Sequence, residues 1–158
     1  MTAKMIPNDN PRNSQHEDAV DRPQDHVIFP LPISLTSFIG REHEIAEAKQ
    51  LLISSRLVTL IGAGGCGKTR LALRVASNLR DTYTDGVCWV DLAPLADATL
   101  LPQAIAKALN TGEPTGRALL DLILDLLHDK HLLLVLDNCE HLASACAEFA
   151  HDVLCDAP

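Results

Sequence analysis

Apolar residues recur along the chain in two rhythms, and their alternation sets the expected elements. At helical spacing, Ile45, Ala48 and Leu52 form one face, Leu71, Val75 and Leu79 a second, and Ile105 and Leu109 a third. Leu119, Leu122, Ile123, Leu126 and Leu127 line a fourth helix, and Leu142, Cys146, Phe149 and Val153 a fifth. Asp121, Asp125 and Asp129 repeat every four residues opposite the fourth stripe. Such a row reads as the wet face of an amphipathic helix rather than a metal site. Largely apolar runs at 57–61 and 87–92 and the continuous run at 132–136 read as buried strands, the last covered on both faces as in a parallel sheet. Strands alternating with helices through right-handed crossovers predict an α/β fold, a three-layer sandwich with ligand at the carboxyl ends of its strands.

Local signals refine the boundaries. Glu42 and Glu44 fall in a first helical turn, where the dipole favours them. Asp97 or Thr99 can cap a helix carrying Pro102 in its first turn. Asp85-Gly86 turns the chain into the second run, and 111–116 reads as a loop. Residues 1–30 mix polar residues and Pro without apolar periodicity, which predicts a disordered leader ahead of a domain at 31–158.

The first run leads straight into Gly62-Ala63-Gly64-Gly65-Cys66-Gly67-Lys68-Thr69. A loop that wraps a polyphosphate with backbone N–H groups needs residues free to take positive φ and approach closely, which Gly62, Gly64, Gly65 and Gly67 supply. The following helix directs its unpaired N–H groups and positive dipole end at the phosphates. Lys68 then reaches the outer phosphates, and the Thr69 hydroxyl can ligate Mg²⁺. Arg70 directly follows, although by helical position Arg70 and Arg74 read as solvated.

The third run ends in Asp137-Asn138, and a carboxylate at the end of such a strand is what a magnesium site opposite a phosphate loop requires. Glu140 is expected to open the last helix, either complementing its dipole or orienting and deprotonating an attacking water.

Composition narrows the function classes. The net charge of −8 argues against general nucleic-acid binding, which relies on Lys and Arg clusters. The five cysteines form no Cys-x-x-Cys pair and read as buried free thiols of a reducing compartment. Cys139 and His141 lack a complementary pair at ligand spacing. No signal peptide or membrane span is visible, which points to the cytoplasm and to no membrane partner.

Four stretches in order resemble the STAND-type ATPases related to NB-ARC and AAA+ modules, and more narrowly the ATPase segment of large bacterial regulators of the LuxR or AfsR kind. They are Leu35-Thr36-Ser37-Phe38-Ile39-Gly40-Arg41-Glu42, the loop from Gly64 through Arg70 to Ala72, Val90-Asp91-Leu92-Ala93, and Leu136-Asp137-Asn138-Cys139-Glu140-His141-Leu142. The resemblance implies that Phe38, Ile39, Gly40 and Arg41 lie against adenine and ribose, favouring ATP or ADP over GTP. Consistent with this, no Asn-Lys-x-Asp guanine motif occurs. In the family a sensor strand follows and lies between the strands ending at Ile61 and Leu136. Its absence here implies a sheet with a central gap, incomplete toward the C-terminus, whose open edges invite protein pairing or self-association.

Three functions follow as expectations. The first is an ATP/Mg²⁺ switch module of a signalling or transcription-regulatory ATPase, with Lys68, Asp137 and Glu140 in catalytic roles and hydrolysis slow or absent. The second is an independent phosphotransferase, against which stands the lack of an Arg-rich lid segment. The third is a degenerate interaction fragment.

Overall fold

The computed structural model describes residues 31–32, 39–112 and 118–156. The leader, Phe38 and most of the loop at 111–116 lie outside them. In chain order the elements are α1 (Glu42–Ser54), α2 (Lys68–Asn78), β1 (Val87–Asp91), a 3-10 turn (Ala98–Leu100), α3 (Leu101–Ala108), α4 (Leu119–His128), β2 (Leu133–Asp137), a second 3-10 turn (Cys139–Leu142) and α5 (Ala143–Asp156).

β1 and β2 are parallel, and their register runs from Val87 beside Leu133 to Asp91 beside Asp137. The period-two alternation of a strand sends side chains to opposite faces, and each face has its own core. Cys88, Val90, Leu134 and Leu136 join Ile105 of α3, Ile123 and Leu127 of α4, and Cys146, Phe149 and Val153 of α5. Val87, Leu133 and Val135 join Ala48 and Leu52 of α1 and Leu71, Val75 and Ala76 of α2. The five predicted helical stripes face these cores, with two differences: Leu142 packs from the second 3-10 turn ahead of α5, and on α4 Leu120 and Leu124 pack where Leu122 does not. All five residues of β2 are buried, with Leu134 fully so. A buried leucine contributes about 2 kcal/mol, so packing far outweighs any surface ion pair in holding this strand.

Several expectations need correction. The run at 57–61 is not a strand and shares no ladder with β1 or β2. Val58 is buried beside Leu133 and Val135, whereas Ile61 is 90% exposed. An apolar run reports a tendency to be buried, but a strand also needs a paired neighbour for its N–H and C=O groups, and no described strand pairs with this one. Glu140 does not open the last helix: it sits in the 3-10 turn ahead of α5. The cysteines are all free, but only Cys88, Cys139 and Cys146 are buried, while Cys66 is half-buried and Cys155 exposed on the outer side of α5. Burial pushes the Cys88 thiol up to about 12, so it stays protonated and behaves as a small apolar side chain.

The boundary signals act as expected. Asp97 accepts from Thr99 N–H at 2.9 Å and caps the 3-10 turn that runs into α3, where Pro102 lies in the first turn. Arg56 Nη1 donates to the Leu154 carbonyl at 3.1 Å, tying the chain ahead of the phosphate loop to the last turn of α5.

Candidate nucleotide site

The glycine-rich loop joins the 57–61 segment to α2. Gly65 and Gly67 take φ of 75° and 88°, and Gly67 is the residue from which α2 begins. A β-carbon at Gly64 or Gly65 would meet nothing within 4 Å, so this part of the loop is not packed against other residues. At Gly62 a β-carbon would stand 2.9 Å from Cys66 Sγ, which ties the two ends of the turn sterically.

Lys68 and Thr69 are the first residues of α2. Lys68 Nζ donates to the Gly62 carbonyl at 2.9 Å and the Ala63 carbonyl at 3.1 Å, and it lies 3.6 Å from Glu140 Oε1. The loop is thus folded around its own lysine. Thr69 Oγ1 donates to Asp137 Oδ1 at 3.0 Å. Asp137 is the only charged residue buried with the core among the described residues. Packing of α2 against β2 brings this contact about, since Leu71 and Val75 share a cluster with Leu133 and Val135.

The oxygen pair fits a small hard cation. Adjacent ligands around an octahedral ion with bonds near 2.1 Å stand about 3.0 Å apart, so Thr69 Oγ1 and Asp137 Oδ1, now hydrogen-bonded at 3.0 Å, are spaced to reach one such ion together. No group of three His, Cys, Asp or Glu side chains among the described residues can hold a metal. Mg²⁺ suits such a site because it keeps waters and phosphate oxygens alongside one or two protein ligands.

Glu140 is largely exposed, and its carboxyl is held below the usual range by its own backbone N–H and, more weakly, by the Lys68 ammonium. It is thus ionised and paired across the mouth of the loop.

Arg41 reads as an ordinary surface charge by sequence pattern alone, and the structure places it at the loop. It adopts a left-handed conformation at the start of α1, with φ 63°, and its Nη2 donates to the Cys66 carbonyl at 2.7 Å. Gly40 beside it has φ 80°, and Ile39 is exposed. Arg70 lies on the exposed side of α2.

The site also includes residues that pattern reading passed over. Asn138 Nδ2 donates to Asp91 Oδ1 at 2.8 Å, and His141 Nε2 lies 2.7 Å from the Leu95 carbonyl. One signal was available: both strands end in aspartate, and the two fall in register.

Residues 53–156 match the profile of the AAA domain family, and the chain belongs to that family. It is 41% identical over 110 residues to a Mycobacterium tuberculosis protein provisionally named an HTH-type transcriptional regulator, covering 70% of this chain and 12% of that protein. It is 38% identical over 124 residues to an uncharacterised protein of the same species, covering 78% of this chain and 32% of the relative. It is 30% identical over 131 residues to the regulatory protein AfsR of Streptomyces griseus, covering 72% and 13% respectively. The chain therefore spans between about an eighth and a third of these relatives. No solved structure is significantly similar to it.

Proposed function

We propose that this chain is an ATP/Mg²⁺-binding switch module of a transcription-regulatory ATPase of the STAND or NB-ARC kind. One observation carries the reading: Thr69, which follows Lys68 at the start of α2, meets Asp137, at the end of β2, through a 3.0 Å hydrogen bond. Phosphate-side and metal-side groups from remote parts of the chain thus share one corner of the fold.

In this reading the N–H groups from Gly62 to Thr69 receive the β- and γ-phosphates, and Lys68 exchanges the Gly62 and Ala63 carbonyls for phosphate oxygens. Thr69 and Asp137 hold Mg²⁺, which neutralises phosphate charge when bound. Ile39, Gly40 and Arg41 flank the adenine and ribose, giving ATP and ADP preference over GTP. Glu140 is ionised and engaged with Lys68, which makes it a weak proton acceptor and supports slow hydrolysis at most. Bound nucleotide then biases how neighbouring segments pack. We read the helices against the two strand faces as layers of a P-loop sandwich, and the regulator names of the longer relatives support a cytoplasmic role in transcription control.

Calorimetric titration with ATP, ADP and GTP, with and without Mg²⁺, tests the proposal. ATP and ADP are expected to bind, GTP to bind at least about 10-fold more weakly, and Lys68→Ala to remove binding. Wild-type ATP affinity in that variant refutes the assignment.

A further inference from the structure

The turns that follow the two strands are joined by three hydrogen bonds. Leu92 N–H donates to the Asp137 carbonyl at 3.0 Å, carrying the ladder one step past its last pair. Asn138 Nδ2 donates to Asp91 Oδ1 at 2.8 Å. His141 Nε2 lies 2.7 Å from the Leu95 carbonyl, and because a carbonyl only accepts, the ring must donate. Asp91 Oδ1 also accepts from Ala93 N–H at 3.0 Å, which fixes the carboxylate in its own turn.

The middle bond bears on Asp137 because of where Asn138 sits. Asn138 directly follows the buried carboxylate and is left-handed, with φ 58° and ψ 40°. A side-chain residue in that conformation needs holding, and asparagine tolerates it better than most. A bond from its amide to a carboxylate is charge-assisted and correspondingly strong. With the Asn138 amide pinned to Asp91 and the Asp137 carbonyl pinned by Leu92, both sides of Asp137 are fixed to β1. Asp137 then has little freedom to turn away from Thr69. The same left-handed residue also starts the 3-10 turn that carries Glu140 past Lys68.

We propose that Asp91 is a positioning residue for the metal-holding carboxylate: through Asn138 it keeps Asp137 aimed at Thr69 and at the Mg²⁺ of a bound nucleotide. This rests on the Mg²⁺-ATP reading above and adds to it a residue that touches neither metal nor phosphate. Groups hydrogen-bonded to a metal ligand fix its direction, and losing one lowers metal affinity about 10- to 100-fold; Asp91 acts one step further out, through Asn138, so a loss at the lower end of that range is expected.

The test is ATP binding by calorimetry on the full chain, in Mg²⁺ and in EDTA, with thermal unfolding as the check on folding. Wild type is expected to bind ATP more tightly in Mg²⁺ than in EDTA. Asp91→Ala should lose at least about 10-fold of that Mg²⁺ gain while keeping the EDTA affinity. Asp91→Asn keeps an oxygen that accepts from both Ala93 and Asn138, and should restore most of the gain. Asn138→Gly tolerates the left-handed backbone but cannot donate, so it should reproduce Asp91→Ala, and the double variant should be no worse than either. An unchanged Mg²⁺ gain in Asp91→Ala overturns the proposal, as does an equal loss in Mg²⁺ and EDTA, which marks a general structural role. If Asp91→Ala does not fold, Asn138→Gly decides by the same criteria. Failure of the parent reading looks different, because wild type itself then shows no Mg²⁺ gain.

Discussion

The same two strands are tied at both ends by an aspartate, and the two ties differ in what surrounds them. At the amino end, Asp85 accepts from Lys130 Nζ at 2.9 Å and from His131 N–H at 2.8 Å, just ahead of β2. At the carboxyl end, Asp91 accepts from Asn138 at 2.8 Å, just after β2. Asp85 meets a cation and a backbone donor, and Tyr83 stacks near the His131 ring at 5.1 Å, closing that end. Asp91 meets a neutral amide next to a buried carboxylate, and that carboxylate in turn meets Thr69, directly after the glycine loop. One end of the strand pair is thus finished by its own contacts, while the other brings oxygen groups to the start of α2 and its glycine loop. The chemistry of a lone aspartate does not separate structural from functional ties; its neighbours do.

Substitutions can break this contrast. The largest effect should come from Lys68→Ala, which is expected to lower ATP affinity at least about 100-fold by calorimetry, while Asp85→Ala leaves it within about two-fold. A comparable loss in both would erase the distinction between the ends. Leu134→Ala, midway between them, should cost about 3 kcal/mol in denaturant unfolding through the cavity it leaves, because Leu134 is fully buried. Thr69→Ala should remove about 10-fold of the Mg²⁺ gain and leave ATP binding in EDTA intact, placing the metal at the carboxyl end alone.

The smallest effect concerns pH. Burial acts to raise the Asp85 carboxyl, but the Lys130 ammonium and the His131 N–H outweigh it and hold it below the usual range. With a folded value depressed below the unfolded one, the unfolded chain binds the extra proton as acid is added. The tie's contribution is therefore full above the ordinary aspartate range and fades as pH falls through the lowered folded value. Asp85 is half-buried but its partner Lys130 is exposed and the pair is open to solvent screening, so Asp85→Asn should cost only about 1 kcal/mol at neutral pH, and the difference from wild type should vanish in strong acid.

Much of this arrangement was legible in the sequence because burial follows periodicity. Leu71, Val75 and Leu79, or Cys146, Phe149 and Val153, face the core as their spacing dictates. The glycines, Lys68, Thr69 and Asp137 could be singled out because phosphate and metal chemistry restricts residue type and spacing, and the structure brings Thr69 and Asp137 into contact. What pattern could not reveal was pairing. The run at 57–61 has strand composition but no ladder, and nothing in a one-dimensional apolar run encodes its neighbour. Arg41 reads as a solvated charge because its acceptor, the Cys66 carbonyl, lies 25 positions away. Asp91 falls in a stretch that carries the family resemblance, but its role was not legible for the same reason, since its partner Asn138 lies across the sheet, 47 positions on.

The grip of Arg41 on the Cys66 carbonyl has a mechanical consequence. Arg41 stands at the entrance to α1, yet its guanidinium holds a carbonyl of the glycine loop. A displacement of the entrance to α1 is therefore passed to that loop through a single side chain that belongs to neither core.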